Sequence, residues 1–170
     1  FSAAEPWNDH AEAYLDPRLF FLTGPGGERD PAGISILVNP LPPEAPCGKR
    51  VPPSAEELVQ AIRSNPNLEA TAPVVEAVGG IDALRMDVVA APGASFGPCT
   101  LADEVDVVSV PGRPWANVGS SELGRLYLLD LPGGSARTLA IWITAPDAAA
   151  FEQALDAAAP VLDSFEFHAP

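Results

Sequence analysis

The stretch Gly93-Ala-Ser95-Phe-Gly97 fits the G-x-S-x-G pattern of a serine nucleophile elbow, and an Asp followed by His168 would complete the chain order of a hydrolase triad. An elbow needs a strand-to-helix turn at the top of a parallel sheet, but here the motif runs straight into Pro98-Cys99 with no helical pattern behind it. His168 stands two residues from Pro170, where a chain end frays. The better reading of Ser95 is a hydroxyl in a small-residue loop. The Asp9-His10-Ala-Glu12 segment offers oxygen and imidazole ligands within four residues, which makes the His10 region a candidate divalent-cation site. A metal asks for three or four protein ligands in defined geometry, and a polar N-terminal segment explains these residues sufficiently. Asp103-Glu-Val-Asp106 gathers three carboxylates, yet it lacks the donor number and the glycine turn of a calcium loop, so a solvated charged face is expected. Nothing in its sequence signals the opposed environments that an acid/base pair requires.

Aromatic residues carry the other candidates. Trp115, in Gly-Arg113-Pro-Trp115-Ala-Asn, is a loop aromatic of the kind that rims binding sites, with Arg113 placed to meet an anionic group. Trp142 lies opposite the Leu139/Ile141/Ile143 face of its strand, so it either packs under a helix or lines a groove, and Trp7 stands in the N-terminal segment. These four residues are the candidate ligand contacts, for an unknown small molecule or protein. Ordinary core and loop packing competes with that role, because aromatics dominate interiors as well as interfaces. No catalytic residue, protein-held metal site or cofactor is assigned. The glycines at 24, 26 and 27 lead into acidic Glu28 and Asp30, without the lysine of a phosphate-cradling loop.

Cys47 and Cys99 sit in proline-flanked loops. A disulfide between them would close a loop of about fifty residues and stabilise by about 4 kcal/mol in the chain-entropy model. Free cysteines favour core positions, so the bridged form is expected, and with it an oxidising, extracytoplasmic location.

The elements that must position these groups are more legible than the groups themselves. A chain of 170 residues, 47% apolar and 19% charged, suits one domain with an ample core. A net charge of −14 argues against nucleic acid and anionic membrane surfaces as partners. Eight Arg against one Lys (Lys49), in a chain rich in Ala, Pro, Gly and Val, suggests a GC-rich bacterial source. No apolar run is long enough for a membrane span. The sequence opens on Phe1 rather than Met, which is read as removal of a targeting or anchoring segment or as trimming, and a monomer is expected.

Residues 1–16 show no clean periodicity. Arg18–Thr23 and Gly33–Asn39 read as a hairpin with a loop of about ten residues. Residues 40–53 hold six prolines and form a rigid connector. Ser54-Ala-Glu-Glu57 is a capping box that starts a helix, and Asn65-Pro66 stops it. Leu68–Val78 and Ile81–Ala91 flank Gly79-Gly80 as a tight hairpin, whose second strand alternates Leu84, Met86 and Val88 with Arg85 and Asp87. Val105–Val110 is a further strand, and 111–121 reads as irregular. Strands at Arg125–Leu131 and Thr138–Thr144 precede a helix from the Asp147 cap, with a Phe151, Leu155, Ala158 stripe and Pro160 as a stop or kink, beyond which Val161 and Leu162 could extend the stripe. The sum is an α+β domain with an antiparallel sheet of about six strands and two main helices.

The capped early helix, the Gly79-Gly80 hairpin, the Leu126-Tyr-Leu-Leu-Asp130 strand and the Val161-Leu-Asp-Ser-Phe-Glu-Phe167 ending together resemble secreted lipoprotein domains of actinobacterial type. Those domains are similar to the Mog1/PsbP-like fold. The likeness spans about Ser54 to Phe167; at the N-terminus Glu5-Pro6-Trp7 stands where that family carries a Gly-Trp pair. The resemblance implies a non-enzymatic extracytoplasmic binding or accessory module and brings no catalytic residues with it.

Overall fold

The computed structural model describes residues 8–9, 19–26, 31–42, 53–95, 104–110, 113–133 and 137–167, with only the backbone path at 8–9, 19–21, 23–26, 31 and 113–115. In chain order the elements are β1 (Asn8–Asp9), β2 (Leu19–Gly26), β3 (Pro31–Val38), α1 (Ala55–Ser64), β4 (Leu68–Ala70), β5 (Val74–Val78), β6 (Ile81–Ala90), β7 (Glu104–Val110), β8 (Arg113–Gly119), β9 (Leu123–Asp130), β10 (Thr138–Ala145) and α2 (Ala148–Asp163). The fold class is the expected α+β, with two helices and an antiparallel sheet. Its strands run β1-β2-β3-β10-β9-β6-β4, with β5 also on β6, and β7 and β8 form a separate two-stranded ribbon.

Alternation along the central strands builds two cores. Leu126, Leu128, Ala140 and Trp142 face one way, against α1 residues Leu58, Val59 and Ile62 and the valines of the ribbon. Tyr127, Leu129, Leu139, Ile141 and Ile143 face the other way, against Phe151, Ala154, Ala158 and Val161 of α2. The sheet is thus a middle layer with both faces covered, and the period-2 pattern of β10 sets which side chain belongs to which core.

Both helices start as their sequences require. The Ser54 hydroxyl accepts from Glu57 N at 3.2 Å, and the Glu57 carboxylate accepts from Ser54 N at 2.8 Å. Asp130 reaches α1 from the end of β9, its Oδ1 accepting from Ala55 N at 2.8 Å. The α2 cap is Asp147, whose Oδ1 accepts from Ala150 N at 2.9 Å. Helix α2 runs through Pro160 to Asp163 rather than stopping there, because Val161 carries the buried stripe onward while Pro160 stays exposed. Within that stripe Ala154 is buried, and Leu155 is half-buried at its margin.

Two strand boundaries also differ from expectation. Leu68–Val78 divides into β4 and β5 around 71–73, where Pro73 has no amide to give a ladder. Thr71 sutures the gap: its amide donates to Asp87 O at 3.0 Å, and its hydroxyl accepts from Asp87 N at 2.9 Å. Residues 113–119, expected to be irregular, form β8, because β7 supplies a cross-strand partner for nearly every position. The Gly79-Gly80 turn is as expected, with φ of 56° and 79°.

Candidate functional site

The ribbon is where the structure departs most from the bland expectation. Its inner face is apolar: Val105, Val107, Val108 and Val110 of β7, with Ala116 and Val118 of β8, are buried against the α1 side of the sheet. Two irregularities in the register shape it. The ladder steps from Asp106↔Asn117 to Val108↔Ala116, passing over Val107, and then to Ser109↔Pro114, passing over Trp115. Bulges of this kind bend a strand and re-aim its side chains. The outer edge of β7 is held by Leu41, whose amide donates to Ser109 O at 2.8 Å and whose carbonyl accepts from Ser109 N at 3.0 Å.

Opposite the valines stand Glu104, Asp106 and Ser109 of β7 and Asn117 of β8. Asp106 and Asn117 are direct cross-strand partners, so their side chains rise side by side. Asn117 Nδ2 donates to Glu104 Oε2 at 2.8 Å. A carboxylate only accepts, which fixes the amide with its oxygen end turned from Glu104. Asp106 is 5% exposed and Ser109 0%. Among the described residues, the buried side-chain atoms with no hydrogen-bond partner are Arg85 Nε, Asp106 Oδ1, Ser109 Oγ, Asn117 Oδ1 and Thr144 Oγ1. Three of these belong to one face of the ribbon. Burial, and then the like charge of Glu104, push the Asp106 carboxyl up from 3.8 to about 6.

At Asp106 these observations correct the expectation of a solvated acidic face, while Glu104 is half-buried and Asp103 lies outside the described residues. Asp106 lies between buried valines in β7 and keeps only 5% of its surface exposed. Ser109 and Asn117 were not singled out from the sequence. The available signal was Asp106 flanked by Val105 and Val107, a period-two mark of a polar face, whereas Ser109, three residues on, is off that period and joins the face only through the bulge at Val107.

A second polar cluster lies on the α2 side of the sheet, toward β6. Arg125 donates from Nε to Asp87 Oδ1 at 2.6 Å and from a terminal nitrogen to Oδ2 at 2.9 Å. Arg85 Nε lies 2.9 Å from Glu76 Oε2 as an ion pair without hydrogen-bond geometry, and the Tyr127 hydroxyl donates to Glu76 at 3.5 Å. The Arg125 guanidinium also sits 5.8 Å from the Phe151 ring centre. Each cation here has its own carboxylate, so the cluster closes the sheet face beyond α2 rather than offering a free charge.

Trp142 is 1% exposed and belongs to the core shared with α1 and the ribbon, so of its two expected settings it takes packing, not a groove. Its indole lies over Gly124, where any added Cβ would collide with the ring. Arg113 and Trp115 are in β8, with Trp115 at the register step, and their side chains lie outside the described residues. Trp7, His10, Cys47, Cys99 and His168 also lie outside them. Ser95 is exposed after β6, its amide donating to Asn67 Oδ1 at 2.9 Å and its hydroxyl to the same oxygen at 3.2 Å. The sheet it follows is antiparallel, not the parallel sheet that carries a nucleophile elbow. Among the described residues no three His, Cys, Asp or Glu gather as a metal-binding group, and no helix is long and apolar enough to cross a membrane.

No protein-family model matches the chain, and no curated protein matches its sequence. Among solved structures, the chain is similar to LpqN of Mycobacterium tuberculosis, described as involved in cell envelope biogenesis. The two are 14% identical, the match covers 96% of this chain and 79% of that one, and the TM-score is 0.50. At that identity the likeness is one of fold.

Proposed function

We propose that the chain is a non-enzymatic binding or accessory domain working outside the cytoplasm of an actinobacterial-type cell, with a Mog1/PsbP-like architecture and the β7–β8 ribbon as its contact face. The ribbon carries the binding part of this reading: buried polar oxygens without hydrogen-bond partners are costly in a folded interior, and a bound partner that supplies what they lack offsets that cost. The location of Trp115 and Arg113 in the same ribbon agrees with this face. The compartment is supported by the fold shared with LpqN, an envelope-biogenesis protein. A Cys47–Cys99 bridge belongs to the same proposal.

Fusing the full gene product to alkaline phosphatase and, separately, to a cytoplasm-restricted fluorescent protein in an actinobacterial host tests the compartment. Active phosphatase with a dark fluorescent fusion is expected. The reverse pattern, or two free thiols in the unfolded, unreduced chain, would contradict it.

A further inference from the structure

The unpaired groups on the ribbon are of one chemical kind. Asp106 Oδ1, Asn117 Oδ1 and Ser109 Oγ are all oxygens with lone pairs to offer, and Asn117 Nδ2 turns one of its two hydrogens to Glu104. Buried acceptors are normally satisfied, and an orphaned set on one face points to a missing donor or a missing positive charge. Electrostatics favours the second. Glu104, bonded to the Asn117 amide that stands opposite Asp106, sets a second carboxylate on the same face, so negative charge gathers there. The oxygens are also pre-positioned. Asp106 and Asn117 are fixed opposite each other by the register, Ser109 is held by two backbone bonds to Leu41, and the bulge at Val107 brings Asp106 and Ser109 to the same side.

We infer that the outer face of the β7–β8 ribbon is a binding site for a hard divalent cation of the calcium type, held by oxygens of Asp106, Asn117 and Ser109 with Glu104 as the second carboxylate. Carboxylate, carboxamide and hydroxyl oxygens with no nitrogen or sulfur donor select a hard ion. Calcium accepts irregular sets of six to eight oxygens with water completing the shell, whereas magnesium demands a near-ideal octahedron that a bulged ribbon does not supply. This site is separate from the His10 region, and it does not use the loop geometry of a calcium-binding hand. The assignment rests on the reading of the ribbon as the contact face.

The test is isothermal titration of calcium chloride, and in parallel magnesium chloride, into the EDTA-stripped, dialysed chain at pH 7.5. One calcium site is expected with a dissociation constant of about 10⁻⁴–10⁻³ M, the range of extracellular calcium modules. Magnesium should bind at least about tenfold more weakly. Asp106→Asn should weaken calcium about tenfold or more, and Ser109→Ala, which removes a neutral oxygen without altering charge, several-fold; far-UV circular dichroism confirms that each variant is folded. The inference is overturned by the absence of saturable calcium binding, or by binding that survives Asp106→Asn and is lost in His10→Ala. If calcium does not bind while Asp106→Asn still stabilises the chain at neutral pH, the cation assignment alone fails. If Asp106→Asn changes neither calcium binding nor neutral-pH stability, the ribbon reading fails with it.

Discussion

Replacing Asp106 by Asn should stabilise the metal-free chain at neutral pH and do almost nothing in acid. Burial and the neighbouring Glu104 carboxylate raise the Asp106 pKa from 3.8 to about 6. At ~1.4 kcal/mol per pH unit of displacement, that gap makes the ionised form about 3 kcal/mol less favourable in the fold than in the unfolded chain. Below pH 3.8 both states hold the proton and the cost vanishes. Between 3.8 and 6 the folded state keeps a proton that the unfolded state gives up, so stability falls as pH rises, and above 6 the full cost is present. The replacing amide has nearly the same shape, carries no charge and can donate to Asn117 Oδ1. The gain at pH 7.5 in EDTA should therefore approach 3 kcal/mol, which at a urea m-value of about 2 kcal/mol/M moves the unfolding midpoint by about 1.5 M. At pH 3.5 the two midpoints should agree within about 0.3 M. Urea denaturation followed by tryptophan fluorescence, with both proteins in the same redox state, reads this difference directly. Equal midpoints at pH 7.5, or a shift of the same size at both pH values, would refute the assignment of a buried, donor-starved carboxylate.

The close approach of the Trp142 indole to Gly124 means that Gly124→Ala should cost at least about 1–3 kcal/mol through overpacking, seen as a lower thermal midpoint with altered near-UV circular dichroism. Ser54→Ala removes the hydroxyl half of the α1 capping box and should cost about 1 kcal/mol in urea denaturation. A double-mutant cycle on Asp87 and Arg125 should return a coupling of about 1 kcal/mol that shrinks in high salt, since the pair is bidentate but partly solvated.

What the sequence made legible follows from how local each signal is. The capping box at Ser54, the Gly79-Gly80 turn and the alternation of β10 are short-range patterns, and each appears in the structure where its residues require it. Strand β8 is different: Pro114 and Trp115 give no alternating pattern, and 113–119 becomes a strand because β7 lies beside it. Continuity of α2 past Pro160 was open in the sequence, where Val161 and Leu162 could extend the stripe, and tertiary packing decides it by burying Val161 against the sheet. The ribbon site was hidden for the same reason. Asp106 looks like one more acid in a chain with 23 acidic residues, and only its position opposite Asn117, between buried valines, separates it from the solvated ones. Trp142, for which the sequence left both packing under a helix and lining a groove, is accommodated in the core by the missing side chain at Gly124, a pairing across strands that spacing alone does not reveal.

Residue-resolved amide spectra of the isotopically labelled chain, recorded during a calcium titration at pH 7.5, test the central claim that the ribbon is the contact face and a cation its ligand. The account expects saturable shifts concentrated at 104–110 and 113–119 and at Leu41, which brackets Ser109, and their loss in Asp106→Asn. Saturable shifts centred instead on the Asp87–Arg125 cluster or at the N-terminus, or no saturable shift at all, would contradict it.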